Sequence, residues 1–294
     1  VTYEEPGFPV PDSLAEHARR FAAEGGPPAT PRVAATVLLL RPATGSGYEV
    51  YVIRRLAAMT FGGVYAFPGG GVDPSDSRVH LDWAGPDPAD WARRLRLAPE
   101  PAQAVVCAAA REVFEEAGVL LASPRPGAGQ GAVPGAVPGD VPGDVPGDVS
   151  GARWEADRAD LVAHRTGFAD LLRARGMMIR SDLLLPWSRW ITPEFEPRRF
   201  DTYFFLALLP AGQRTRDVSG EADHTMWIEP REALARAQRG DLAMLPPTLV
   251  TLGEVAAHPD LDAVVAAAAR RDPATPVTPR LGTAADGTPR LLLR

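Results

Sequence analysis

The spacing of apolar residues changes period along the chain, and each change predicts an element. Residues 33–40 and 49–55 are rich in Val, Leu, Ile and Tyr and flank the turn Ala43-Thr44-Gly45-Ser46-Gly47, which reads as two β-strands. Residues 187–192 and 202–209 read as further strands. A shorter one at 225–228 leads into a helix beginning at Pro230, where proline suits the first helical position. Helical spacing governs 13–23, with Asp12 or Ser13 as the expected cap. It returns at 157–175 and over most of 246–269, which opens on Pro246-Pro247-Thr248. Strands alternating with helices fit the α/β class, as an α/β/α sandwich around a mixed β-sheet.

The helical period carries chemistry at Arg111-Glu112-Val113-Phe114-Glu115-Glu116-Ala117-Gly118-Val119. On a helical wheel Glu115 and Glu116 fall within about 60° of Glu112, while Val106, Ala110, Val113 and Ala117 cluster roughly opposite. Two carboxylates about 5.5 Å apart repel by roughly 3 kcal/mol at an effective dielectric near 20. Three on one patch therefore need either full solvation or cations between them. A solvated acidic face is the competing reading of the glutamates taken alone. Their surroundings favour cations, and all-oxygen ligation suits magnesium or manganese. Upstream, Phe67-Pro68-Gly69-Gly70-Gly71-Val72-Asp73 is a glycine-rich turn able to take positive φ and bring backbone carbonyls close to a ligand. Downstream, Gly118 stands where a helix C-terminal glycine belongs, ahead of Val119-Leu120-Leu121.

Together these segments resemble the Nudix hydrolases, whose signature is G-x5-E-x7-R-E-U-x-E-E-x-G-U with U a bulky aliphatic residue. The second half matches at every specified position. The first half departs from it. Counted from Gly70, the first acidic position falls on Asp76 in place of Glu, and 34 residues separate Asp76 from Arg111 where the signature has 7. That is an insertion of 27 residues, placed at 77–103. Counted back from Arg111 the position falls on Gln103, which leaves Asp76 the better candidate. Residues 61–70 with Asp73, and Trp190-Ile191-Thr192-Pro193 running into 198–205, are similar to the Nudix branch that includes the peroxisomal coenzyme A diphosphatases. The resemblance covers roughly residues 31–258.

The resemblance implies the fold named above and a role for each matching residue. Glu115 and Glu116 would be metal ligands for Mg²⁺ or Mn²⁺, with the carbonyl of Gly69 or Gly70 completing the shell. Glu112 would be a further ligand or the general base. Arg111 would pair with a neighbouring carboxylate such as Asp76 and orient the loop. Glu221, six residues before Trp227, stands where a fourth acid would fall. Arg54 and Arg55 end a strand beside the site, and alternation lets only one of them face it. Arg198 and Arg199 pose the same question, since adjacent arginines suit bidentate phosphate contacts. His164 and His224 have no ligand-like spacing and read as surface or structural. The implied activity is metal-dependent cleavage of coenzyme A or an acyl-CoA to 3′,5′-ADP and 4′-phosphopantetheine or its acyl form. An ADP-ribose or NADH pyrophosphatase would use the same catalytic residues, and a nucleotide-binding regulator of the same fold is the alternative of another class.

Composition narrows the partners. A net charge of −6 argues against a surface that coats nucleic acid, so a small anionic nucleotide must be drawn in locally. The single cysteine, Cys107, cannot form an internal disulfide and reads as a packed thiol. No apolar run approaches about 18 residues and no basic-then-apolar leader is visible, so neither membrane insertion nor secretion is expected. The final Leu291-Leu292-Leu293-Arg294 is not a peroxisomal S-K-L address, and the cytoplasm is the expected compartment. The tetrapeptides AVPG, AVPG, DVPG, DVPG and DVSG at 132–151 hold too little apolar content to pack. The expected organisation is an N-terminal extension at 1–30, one domain at 31–258 with the insertion and a disordered linker at 123–151, and a C-terminal helix and tail at 259–294.

Overall fold

The computed structural model describes residues 7–56, 62–78, 81–126, 146–217, 220, 222–284 and 286–293. The apolar run near residue 35 becomes the central strand, Arg32–Pro42. It pairs in parallel with Phe200–Leu208 and antiparallel with Tyr48–Arg55. Beyond Tyr48–Arg55 lies Ala222–Ile228, and beyond Phe200–Leu208 lie Leu185–Ile191 and Pro276–Val277. Two short strands, Tyr65–Ala66 and Gly69–Gly71, attach to Tyr48–Arg55 and Arg32–Pro42 respectively. The result is the expected mixed sheet, eight-stranded among the described residues.

Strand alternation then sorts side chains onto two faces. Val37, Leu39, Tyr51, Ile53, Tyr203 and Phe205 share one buried cluster with helices Pro88–Leu95, Pro99–Ala117, Ala152–Val162 and Phe168–Ala174. Their neighbours Leu38, Leu40, Val50, Val52, Phe204 and Leu206 share another with Pro230–Gln238, Pro246–Ala256 and Leu261–Ala268. This is the α/β/α sandwich.

The helix Pro99–Ala117 is buried along nearly its whole length because alanines at 102, 104, 108, 109 and 110 let its backbone approach the sheet closely. It stops at Gly118, whose φ of 66° and amide bond to Phe114 O form a left-handed cap. A Cβ there would meet Arg216 Nη2 at 2.6 Å, because that guanidinium donates to Gly118 O at 3.0 Å. The helix end is thus set by a glycine and by an arginine about a hundred positions away.

Several elements differ from their sequence-based outline. The helix Asp12–Glu24 begins after Pro11 and has no side-chain cap, since Asp12 already lies in its first turn. The helical stretch expected over 157–175 is two helices, separated where His164 takes a φ of 51°. Both ends of the stretch expected to be a linker are structured. Ala122–Pro124 is a strand against Met177–Arg180, and Val149 is buried. Gln213 Nε2 donates to both Leu120 O and Pro146 O at 3.0 Å, which pins the two flanks together. Residues 127–145 lie outside the described residues.

The chain ends also meet. Phe8–Pro9 pairs with Pro289–Leu292, which pairs with Arg280–Thr283, and Phe8, Ala18, Phe195 and Leu291 close a small core over this sheet. What read as an extension and a tail is one cap. No described helix is long and apolar enough to cross a membrane.

Candidate active site

The glycine turn and the acidic helix come together at one end of the central strand. Gly69–Gly71 lies antiparallel to Ala34–Thr36, and a Cβ on Gly69 would meet Thr36 Oγ1 at 2.5 Å and Ala35 O at 2.6 Å. A Cβ on Gly70 would overlap the carboxylate of Glu112. None of these three glycines has positive φ. Gly69 and Gly70 are needed for close approach, not for the left-handed backbone that the sequence suggested, whereas a Cβ on Gly71 would meet open space.

Arg111 is the hub of the site. Its Nε and Nη2 donate to Asp76 Oδ1 and Oδ2 at 3.2 and 3.1 Å, and Nη2 also donates to Gly71 O at 2.8 Å. Its Nη1 donates to Glu112 Oε1 at 2.8 Å and to Glu115 Oε2 at 3.2 Å. Burial opposes the charge on Arg111, yet the surrounding Glu112 and Asp76 hold its pKa above the ordinary arginine value. Burial pushes the carboxyls of Asp76 and Glu115 up, with Arg111 opposing the shift in each case. The Cys107 thiol, wholly buried, is pushed well above its usual value first by desolvation and then by Asp76, as a packed thiol should be.

The third glutamate is held differently, with Gly69 N–H donating to Glu116 Oε2 at 2.7 Å. Because Arg111 draws Glu112 and Glu115 while the Gly69 amide draws Glu116, no three acidic, histidine or cysteine side chains form a closed metal cage among the described residues. The donor set nevertheless fits a hard divalent cation. Its ligating atoms would all be oxygens, and Glu115 Oε1 is buried with no hydrogen-bond donor. Leaving such an atom unsatisfied costs about 1–3 kcal/mol, more when charged, and a cation would remove that cost. The three glutamates border a cleft of about 690 Å³ whose rim also carries Arg32, Arg55, Asp73 and His164.

The other candidates separate cleanly. Arg55 lines the cleft, while Arg54, one position out of phase, pairs with Asp223 Oδ1 at 2.6 Å on the surface. Arg198 is exposed and does not line the cleft. Arg199 is buried and donates to Ala29 O at 2.8 Å and Thr192 O at 3.1 Å, so its guanidinium is occupied by backbone and turned from the site. A phosphate contact for either Arg198 or Arg199 does not match this placement. Asp76 sits behind Arg111, not on the cleft wall. Glu221 lies outside the described residues, although Gly220 beside it lines the cleft.

Two cleft residues escaped the sequence reading. Arg32 opens the central strand on the same side as the glycine turn. His164, read as surface or structural, is largely exposed and borders the cleft, with Nδ1 3.8 Å from Asp73 Oδ2. Its spacing from the glutamates carries no signal, because the packing of Ala152–Val162 against the acidic helix brings it there. His224, read as surface or structural, is exposed and shares a 3.3 Å hydrogen bond with Tyr65.

Comparison with known proteins agrees with this geometry. The family described as the NUDT19 Nudix domain matches residues 93–255, which contain the acidic helix though not the glycine turn. The acyl-coenzyme A diphosphatase NUDT19 of Gallus gallus is 28% identical over 75% of this chain and 67% of its own length. The protein of the same name from Xenopus laevis is 26% identical over 71% of this chain and 60% of its own. The chain spans about half to two thirds of the length of the curated relatives it matches. A crystal structure of a Nudix hydrolase from Alicyclobacillus acidocaldarius superposes with a TM-score of 0.60 at 30% identity, over 81% of this chain and 96% of that one. With more than half its length inside the matched domain and its fold shared with that hydrolase, the chain belongs to the Nudix hydrolase family, in the branch described by the NUDT19 Nudix domain.

Proposed function

We propose that the chain is a Mg²⁺- or Mn²⁺-dependent pyrophosphohydrolase that splits coenzyme A or its acyl esters into 3′,5′-ADP and 4′-phosphopantetheine or its acyl form. The observation that carries the hydrolytic reading is the buried, donor-less Glu115 Oε1 beside Glu112 and Glu116 at the bottom of an open cleft. The choice of substrate is supported by the relatives from Gallus gallus and Xenopus laevis, which are acyl-coenzyme A diphosphatases.

In this reading Glu115 and Glu116 would hold the cation, with a carbonyl of Gly69 or Gly70 as a further donor. A bound divalent cation would offset the negative charge of the diphosphate and acidify a water. Arg55 and Arg32 bind diphosphate oxygens from the opposite rim. A water oxygen bonds to one phosphorus in line with the departing anhydride oxygen, which leaves with its electron pair on the other phosphate. Glu112 takes the proton released by the water. Arg111 touches neither substrate nor water. It positions Glu112 and Glu115, and through Asp76 it fixes the glycine turn that lets the diphosphate approach.

The test is hydrolysis of coenzyme A, acetyl-CoA, ADP-ribose and NADH with Mg²⁺, with Mn²⁺ and with chelator, with products identified by mass spectrometry. Formation of 3′,5′-ADP from coenzyme A or acetyl-CoA, dependent on metal, is the expected result. Dominant AMP formation from ADP-ribose or NADH would keep the catalytic site and overturn the substrate, and binding without cleavage would overturn the enzyme.

A further inference from the structure

A second hollow, of about 340 Å³, adjoins the acidic cleft. Arg55, Phe200 and the three glycines 69–71 line both, so the glycine strand is the partition between them. Phe67, Trp190 and Phe204, members of the buried cluster on the face away from the acidic helix, contribute to this second wall. Leu245 and Pro247 reach it from the start of Pro246–Ala256. Leu14 and Leu291 close it from the cap made by the two chain ends. The hollow is therefore an apolar chamber that opens beside the diphosphate position, with walls drawn from both termini.

Charge decides which half of a substrate belongs there. Among the described residues lining the chamber, Arg55 at the partition is the one cation and Glu196 the one acid. A nucleotide carrying an additional phosphate would be placed near that acid with no second cation to meet it. Its purine would also bring several ring and amino groups to walls dominated by Leu, Pro and Phe, where unpaired polar atoms are costly. Trp190 Nε1 is already used, donating to Ser188 Oγ at 3.2 Å. An aliphatic arm with a branched carbon and a few amides suits the chamber better. Its methyl groups meet the apolar walls, and the hydroxyls of Thr36, Thr202 and Thr248 on the lining offer the small number of polar contacts typical of such sites. Arg32 and His164 lie on the other side of the glycine strand, where the nucleotide half then falls.

We infer that this chamber receives the non-nucleotide, aliphatic arm of the substrate, and that Leu14 of the N-terminal helix and Leu245 on the facing wall determine specificity for it. The inference rests on the reading of the chain as a coenzyme A diphosphatase. It adds an orientation for the substrate and a function for the paired chain ends.

The two half-products report on the two sides separately. Calorimetric binding of 4′-phosphopantetheine and of 3′,5′-ADP is measured for the full chain and for Leu14→Arg and Leu245→Arg, with coenzyme A hydrolysis of the full chain followed in parallel. Both positions are only partly buried, so each arginine has an exit to solvent. Each substitution is expected to weaken 4′-phosphopantetheine at least tenfold and 3′,5′-ADP less than twofold. Binding of 4′-phosphopantetheine to the unsubstituted chain is expected to show the negative heat-capacity change of apolar burial. Equal weakening of both ligands, or selective weakening of 3′,5′-ADP, overturns the orientation. Coenzyme A cleavage with no effect of either substitution on either ligand overturns the chamber assignment and leaves the activity standing. If coenzyme A is not cleaved and neither half-product binds, the activity falls and the inference falls with it.

Discussion

Asp76 and Arg111, 35 positions apart in sequence, meet in a two-point ion pair with Nε–Oδ1 at 3.2 Å and Nη2–Oδ2 at 3.1 Å, and neither side chain is more than 6% exposed. The pair joins the short helix Ser75–Arg78, which follows the glycine turn, to the acidic helix. Asp76 also accepts from Asp73 N at 2.8 Å, which closes the turn on itself. Removing one partner of a buried pair leaves an uncompensated charge, at a cost of about 3–5 kcal/mol. Arg111 keeps Glu112, Glu115 and Gly71 O, so Asp76→Ala is expected near the lower end, about 3 kcal/mol by urea denaturation. A variant as stable as the parent would show that the pair does not hold the turn.

Glu116 receives the Gly69 amide through an acceptor that glutamine also possesses. Glu116→Gln should therefore keep the fold while removing a ligand charge. Metal-dependent turnover is expected to fall about 100-fold or more, since a cation supplies several kcal/mol of charge stabilisation. Thermal unfolding and initial rates on one preparation check both halves, and parent-like rates would remove the acidic helix from catalysis.

Arg54 and Arg55 provide a matched pair of adjacent residues with opposite placement. One charge-assisted contact contributes about 1.5–3 kcal/mol, so Arg55→Ala should raise KM about tenfold or more. Arg54→Ala breaks an exposed pair with Asp223 and should leave KM and stability close to the parent. Substrate-saturation curves of the two variants, side by side, decide the point. Equal KM values would refute the assignment of Arg55 to the cleft.

Arg199 supports backbone. Its guanidinium serves the carbonyls of Ala29 and Thr192, which tie the segment before the central strand to the strand at 185–191. Arg199→Ala should cost about 1–3 kcal/mol of stability with KM unchanged. A raised KM at unchanged stability would return Arg199 to the substrate.

Tyr48 gives the alkaline limb of stability a residue. Its hydroxyl donates to Val255 O at 2.6 Å and His258 O at 3.2 Å, and burial pushes its pKa from the ordinary 10.0 up to about 12. The folded state holds this proton more tightly than the unfolded chain. The contribution is thus complete below pH 10 and is lost as pH rises through about 12. Tyr203, also pushed up by burial to about 12, acts in the same direction. Tyr48→Phe should lose about 1 kcal/mol at neutral pH and show a shallower decline between pH 10 and 12. Denaturation midpoints across that range measure the slope, and parallel curves for parent and variant would assign the alkaline loss elsewhere.

The reading from sequence alone was strong where local periodicity carries the information. The i, i+3, i+4 spacing of Glu112, Glu115 and Glu116 places them on one side of any helix, and Gly118 stands where a helix C-terminal glycine belongs. The alternation of strands and helices led to the sandwich because each apolar stripe must be buried against another layer. Sequence also recognised that one of Arg54 and Arg55 faces the site, but parity alone is symmetric between them. The folded sheet broke the tie, with Arg55 on the cleft wall and Arg54 paired with Asp223.

What the tertiary structure decided are meetings between distant segments, which local pattern does not encode. Asp76 was the better of two candidates by counting, and only the folded chain puts both of its oxygens on Arg111. Gly69 and Gly70 announced themselves as permissive backbone, yet their reason is the proximity of Thr36 and Glu112 from other elements. His164 reached the cleft through helix packing, and Arg199 left it because two carbonyls claimed its donors. The chain ends read as an N-terminal extension and a C-terminal helix and tail because a two-residue strand such as Phe8–Pro9 has no period of its own. Its partner lies about 280 residues away, and it becomes a strand only when the fold supplies that edge.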